Sequence, residues 1–92
     1  MPFIPFIMDR SPTAKLIRSI DAKDRRPDQL AQLKDVMTQN ISALPYGYLE
    51  QAFRRAKSVA PLAQTDGERD LLQSIQMMAL HRIERIHMEN RP

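Results

Sequence analysis

The chain has 92 residues and carries 14 basic and 11 acidic side chains, for a formal net charge of +3. This length fits a single domain. A content of 42% hydrophobic and 27% charged residues is typical of a globular protein rather than a disordered tail. The sequence has no Cys, which excludes disulfides, thiolate nucleophiles and Cys-ligated zinc, and its two Gly residues are too few for a glycine-rich phosphate loop.

The N-terminal segment MPFIPFIMDR is apolar and contains two prolines. Pro2 and Pro5 exclude a regular helix, so we expect an extended arm over residues 1–10. Because Phe3 and Phe6 are unfavourable in water, the arm either folds back onto its own core or crosses to a partner subunit. A third alternative is that translation starts at Met8 and the arm is absent from the protein.

Neither a signal peptide nor a membrane span is predicted. The apolar start lacks a basic region, and no apolar run approaches the ~20 residues of a transmembrane helix. We therefore expect a cytoplasmic protein that does not bind membranes.

Two helices are predicted in the first half of the remaining chain. Ser11 followed by Pro12 is typical of a helix start, with a capping hydroxyl and a proline in the first turn. A second helix starts at Pro27. Its apolar residues follow at steps of three and four and define one face: Leu30, Leu33, Met37, Ile41 and Leu44.

Two further helices are predicted after a turn at Pro45-Tyr46-Gly47. The third helix has an alanine-rich face that lets a neighbouring helix approach closely, and Pro61 should bend or end it. The fourth helix opens on a capping box in which Thr65 and Glu68 satisfy backbone donors reciprocally. Its main stripe consists of Leu72, Ile75, Ala79, Ile83 and Ile86.

No strand-like alternation occurs after residue 10, and short links between helices favour antiparallel neighbours. We therefore predict an all-α protein, a small four-helix antiparallel bundle. The predicted segments are an extended arm over 1–10 and one helical domain over 11–92, with helices at about 12–22, 27–43, 46–62 and 66–88.

Part of this pattern resembles a tetratricopeptide unit. The spacing Phe53-x-x-Ala56-x-x-x-x-Pro61 is that of the unit's second helix, and Leu33 and Met37 would lie in the first. The resemblance covers about 32 residues and occurs once. It implies a helical hairpin between the second and third predicted helices.

The fourth helix carries apolar residues outside its main stripe. Met77, Leu80 and Met88 lie roughly 100–180° around the helix axis from that stripe. A helix that is apolar on several sides is either central in its own bundle or shared between chains, and we favour a shared helix in a homodimer. The predicted partner-binding residues are Phe3, Phe6, Met77, Leu80 and Met88.

Basic residues offer a second interpretation, in which the protein is a nucleic-acid-binding regulator. The candidate phosphate contacts lie in the link before the second helix and on the third helix, at Lys23, Arg25, Arg26, Arg54, Arg55 and Lys57. Against it, neighbouring acids dilute the field of the link, and the cations of the third helix span about 160° of its surface.

A helical enzyme or metal protein is the weakest alternative. Glu84-x-x-His87 has the spacing of the carboxylate–histidine pair in di-iron bundles, but the chain has no second pair. His81 and His87 would lie about 120° apart around the helix, which does not suit joint coordination. We therefore predict no cofactor, no metal, no small-molecule substrate and no catalysis. The favoured function is a helical interaction module, an adaptor, inhibitor or regulatory subunit that binds a macromolecular partner, most simply another protein.

Overall fold

The computed structural model describes residues 11–90, which form four α-helices and no strand. The predicted all-α, four-helix fold class is confirmed. The arm with Phe3 and Phe6 lies outside the described residues. The helices are α1 (Pro12–Arg18), α2 (Pro27–Asn40), α3 (Tyr46–Val59) and α4 (Asp66–Glu89), with short 3₁₀ helices at Ile41–Ala43 and Ala60–Leu62.

Helix α1 begins as predicted but ends four residues early. The Ser11 hydroxyl accepts hydrogen bonds from two backbone N–H groups of the first turn, at 3.1 and 3.4 Å. At the other end, Ser19 donates its hydroxyl to the carbonyl of Leu16, and α1 stops at Arg18. The carboxylate of Asp21 then accepts two backbone N–H groups from the residues that follow, which stabilises a turn where the prediction had continued the helix.

Helices α2 and α3 each finish in one turn of 3₁₀ helix, which accounts for the predicted ends at residues 43 and 62. Pro61 explains the second case, because proline has no N–H to continue the α-helical ladder. The predicted turn at residues 45–47 is shorter in the structure. Pro45 is the extended residue before α3, and Tyr46 and Gly47 already belong to its first turn.

Helices α3 and α4 form the most extensive helix pair of the described chain. They run antiparallel, since Tyr46 at the start of α3 bonds to His87 near the end of α4. Ala52 and Ala56 of α3 are completely buried. Small side chains at these positions permit the close approach that the alanine-rich face predicts.

Helix α4 also packs against α2, and these two helices run in the same direction. Arg25, just before α2, contacts Glu68 in the first turn of α4, and Thr38 near the end of α2 contacts Met78 farther along α4. No Cα atom of α2 lies within 8 Å of a Cα atom of α3, whereas α1 packs against both. The α2–α3 hairpin implied by the tetratricopeptide resemblance is therefore not formed. The reason is that α4, apolar on more than one side, packs against each of them.

Candidate partner-binding groove

The groove arises from a difference in helix length. At about 1.5 Å per residue, the 24 residues of α4 extend about 36 Å and the 14 residues of α2 about 21 Å. The buried residues of α4 stop at Ala79, although its apolar pattern continues. Ile83 and Ile86 are only half-buried. The C-terminal part of α4 therefore offers side chains that the shorter α2 does not cover.

An open groove of about 520 Å³ lies between the end of α2 and this part of α4. Its floor is apolar and consists of Met37, Ile41 and Met78. Met37 is completely buried, and the other two are half-buried. Ile41 and Met78 therefore offer the surface that an incoming apolar group can contact, and the unbranched Met78 side chain can adapt to its shape.

The α4 side of the groove forms a cationic rim, which consists of Arg82 and Arg85 beside His81. The Nε of Arg82 is buried and has no hydrogen-bond partner among residues 11–90. Arg85 lies 4.0 Å from the carboxylate of Glu89, with both side chains largely exposed, so this pair contributes little. The rim can thus pair with an anionic ligand without first breaking a strong internal ion pair.

The α2 side of the groove is held by Thr38. Its hydroxyl donates to the carbonyl of Lys34 at 2.8 Å and lies 3.6 Å from the sulfur of Met78. The first contact follows the helix geometry of α2, and the second joins α2 to α4. Together these two contacts hold the α2 side of the groove against Met78 of its floor.

The structure does not bring the sequence-predicted partner residues into one surface. Met77 and Met88 are 44% and 67% exposed and point away from the core, whereas Leu80 is half-buried. Met77 and Met88 are about 16 Å apart along α4, with the exposed polar residues His81 and Glu84 between them. Phe3 and Phe6 lie outside the described residues.

Of the candidate phosphate contacts, Arg25 is engaged within the fold. Its side chain is only 6% exposed and its Nε donates to the carboxylate of Glu68. The same guanidinium also donates to the carbonyls of Asp21, Ala22 and Leu62. Arg25 therefore ties the α1–α2 link to the start of α4 and is not presented to a ligand.

The carboxylate of Glu68 completes this cluster. Its second oxygen accepts the backbone N–H of Gln64, and its own N–H donates to the Thr65 hydroxyl at 3.0 Å. The predicted capping box is therefore half formed. Thr65 accepts the N–H of Glu68, but the Glu68 carboxylate accepts the N–H of Gln64 and not that of Thr65. The hydrogen bond from Arg25, and then the one from Gln64, lower the pKa of Glu68 below its ordinary value despite burial.

The other candidate phosphate contacts are dispersed. Arg55 donates to the carbonyl of Ile20, Arg54 pairs with Glu50 at 3.4 Å, and Lys57 lies 5.6 Å from the centre of the Phe53 ring. The exposed Lys23 lies in the α1–α2 link, where Arg26 shares a shallow polar depression with two carboxylates, those of Asp21 and Asp24. These cations do not form one continuous basic stripe.

The two histidines serve separate surfaces. His81 lines the groove, whereas the Nε2 of His87 lies 3.0 Å from the hydroxyl of Tyr46, with the rings edge-on at 5.7 Å between centres. Glu84 is exposed on the outer face of α4. Within the described residues, no three His, Asp or Glu side chains are grouped closely enough to hold a metal ion.

Sequence reasoning missed the groove, although part of its signal was readable. Met78, Arg82 and Arg85 occur at i, i+4 and i+7, a spacing that places them on one side of a helix. The pairing of that side with Met37 and Ile41 depends on α2 running beside α4, which no local pattern encodes.

None of the helices within residues 11–90 is both long and apolar enough to cross a bilayer. Comparison of the chain with protein-family models, with curated proteins and with solved structures finds no match.

Proposed function

We propose that this protein is a binding module that docks a segment of a partner protein in the groove between α2 and α4. The observation that carries the proposal is the combination of an adaptable apolar floor with a cationic rim that lacks strong internal partners. Apolar floors bury anchor side chains, and charged rims set orientation and specificity. An adaptor, inhibitor or regulatory subunit would use such a surface.

The chemistry of the groove favours a protein partner over a nucleic acid. Ile41 and Met78 present methyl and thioether groups, which gain from burial against other apolar side chains. Phosphate backbones require clustered cations instead. The basic residues at 23–26 and on α3 are largely engaged with carbonyls, carboxylates or an aromatic ring.

Two adjacent methionines provide a matched test. Met78 belongs to the groove floor and Met77 is exposed on the outer face of α4. Met78→Glu and Met77→Glu make the same chemical change on different faces of one helix. The tagged protein and both variants would be used to capture partners from the native cell. Each captured protein would be identified, purified and tested for direct binding.

We expect Met78→Glu to lose the direct complex and Met77→Glu to keep it. The reverse result would place the site on the outer face and reject the groove. Since Met78 is half-buried and contacts the core, Arg85→Glu serves as a second groove variant at an exposed position that leaves the core intact. Circular dichroism would verify that each variant is folded.

The homodimer predicted from the outer face of α4 is tested with the same proteins. Sedimentation equilibrium of the wild type and of Met77→Glu measures the mass in solution. A dimer that Met77→Glu dissociates would support the shared helix. A monomer in both cases would remove it while leaving the groove proposal in place.

A further inference from the structure

We propose that the segment bound in the groove is an acidic amphipathic helix of a partner protein. This inference rests on the proposed function and specifies its ligand. The helix would place apolar side chains against Ile41 and Met78, which lie beside the buried Met37. Its carboxylates would pair with Arg82 and Arg85.

The charge of the groove selects an anionic ligand. None of its seven lining residues is acidic, and Arg82, Arg85 and His81 supply its ionisable groups. The Nε–H of Arg82 is a buried donor without an acceptor in the described chain. Because that Nε is sealed from solvent, a carboxylate of the ligand would meet the rim through the exposed Arg85 side chain, and it supplies the charge opposite to that of both arginines.

The spacing of the rim matches a helical ligand. Arg82 and Arg85 are three residues apart on α4, so their side chains emerge as neighbours, with Cβ atoms about 5–6 Å apart. Carboxylates three or four residues apart on a bound helix have the same separation. The partly exposed floor residues Ile41 and Met78 come from two neighbouring segments, the 3₁₀ turn after α2 and helix α4, and together they suit an apolar anchor of the ligand helix placed between them.

The openness of the groove favours a peptide over an anionic lipid. A fatty-acid chain is held best in a cavity that covers most of its surface. This groove is bounded by α2 and α4 and is open to solvent along its length. A helix needs to bury only one face, and its polar face can remain in water.

The experiment uses two synthetic peptides of 14 residues with the same apolar face. One carries Glu, and the other carries Lys, at the positions opposite the rim. The full-length protein would be labelled at its methionine methyl groups and titrated with each peptide by NMR. The methyl groups of Met37 and Met78 report on the groove. Those of Met77 and Met88 are internal controls, because both side chains are exposed and neither lines the groove.

We expect the Glu peptide to shift the Met37 and Met78 signals and to leave those of Met77 and Met88 in place. Its affinity should exceed that of the Lys peptide by roughly tenfold or more at low salt, and the difference should shrink as salt is added. Arg82→Glu with Arg85→Glu should invert the preference in favour of the Lys peptide.

Equal binding of the two peptides, or shifts confined to Met77 and Met88, would overturn the inference. The absence of peptide binding would also overturn it. A parallel titration with oleate or with vesicles of anionic phospholipid would then show whether the groove binds a lipid instead, by shifts of the Met37 and Met78 signals. The proposed function is judged separately by the native partner. If Met78→Glu and Arg85→Glu lose that partner while the Glu peptide fails, the groove is a docking site for a different ligand.

Discussion

The two halves of α4 have similar apolar content and opposite surroundings. In residues 66–79, one side of the helix is buried at Glu68, Leu72, Ile75 and Ala79. In residues 80–89, no residue is buried, although Leu80, Ile83 and Ile86 continue the apolar pattern. The difference lies in α2, which starts beside the first turn of α4 and is 10 residues shorter, whereas α3 reaches the C-terminal part of α4, where Tyr46 contacts His87.

The same contrast separates two arginines. Arg25, at the covered end of α4, donates to one carboxylate and three carbonyls. Arg82, at the uncovered end, holds a buried Nε without a hydrogen-bond partner in the described chain. The ion pair of Arg25 with Glu68 and the proposed docking groove therefore lie toward opposite ends of one helix. A guanidinium whose N–H groups are paired within the fold stabilises it, whereas a buried and unpaired Nε, as in Arg82, does not.

The largest expected effect compares an isoleucine in each half of α4. Ile75→Ala removes a fully buried side chain from the core and should lower the free energy of unfolding by about 3 kcal/mol. Ile86→Ala makes the same change at a half-buried position and should cost about 1 kcal/mol. Urea unfolding of both variants measures the difference. Equal losses would mean that the C-terminal half is covered in solution, for instance by another copy of the chain.

The second prediction concerns the ion pair at the covered end. Glu68→Ala leaves the Arg25 guanidinium, whose side chain is only 6% exposed, without its carboxylate and should cost about 3 kcal/mol of unfolding free energy. The matched control is the double variant Arg25→Met with Glu68→Leu, which removes both charges and should cost less than Glu68→Ala. If the double variant proves less stable than the single one, the charge left behind is not the source of the loss.

The sequence predicted the starts of the helices more accurately than their ends. The starts of all four helices follow from local signals that the structure confirms: a capping hydroxyl at Ser11 and Thr65, and a proline at Pro12, Pro27 and Pro45. Helix ends were less accurate, because they depend on weaker contacts. The end of α1 is set by a serine hydroxyl and by the carboxylate turn at Asp21, and neither contact has a strong sequence signature.

The candidate site was harder to predict from the sequence than the fold. Periodicity identified that α4 is apolar in several directions, but it could not assign each direction to a neighbour. Met78 and Leu80 both lie outside the main stripe. The structure places Met78 beside α2, whereas Leu80 lies outside the groove lining. The ion pair of Arg25 with Glu68 joins segments 43 residues apart in the chain, and charge patterning within one helix does not report such a contact.

The smallest expected effect is the response of the covered end to acid. The pKa of Glu68 is lowered in the folded state, first by the hydrogen bond from Arg25, whereas in the unfolded chain it returns to about 4.3. The stabilisation is therefore fully present above that pH and is lost as the pH falls through the lower, folded-state pKa. We expect the difference in unfolding free energy between wild type and Glu68→Gln to shrink between about pH 5 and pH 2.

Asp21 is the control for this titration, because two backbone N–H groups lower its pKa in the same direction. Asp21→Asn removes the contribution of Asp21 to the pH dependence. When Asp21→Asn is introduced into both the wild type and Glu68→Gln, the difference in unfolding free energy between these two proteins should stay nearly unchanged. A difference that stays constant across this pH range would mean that Glu68 does not titrate with the native fold. The covered end would then owe its stability to apolar packing alone, and the contrast between Arg25 and Arg82 would reduce to a difference in burial.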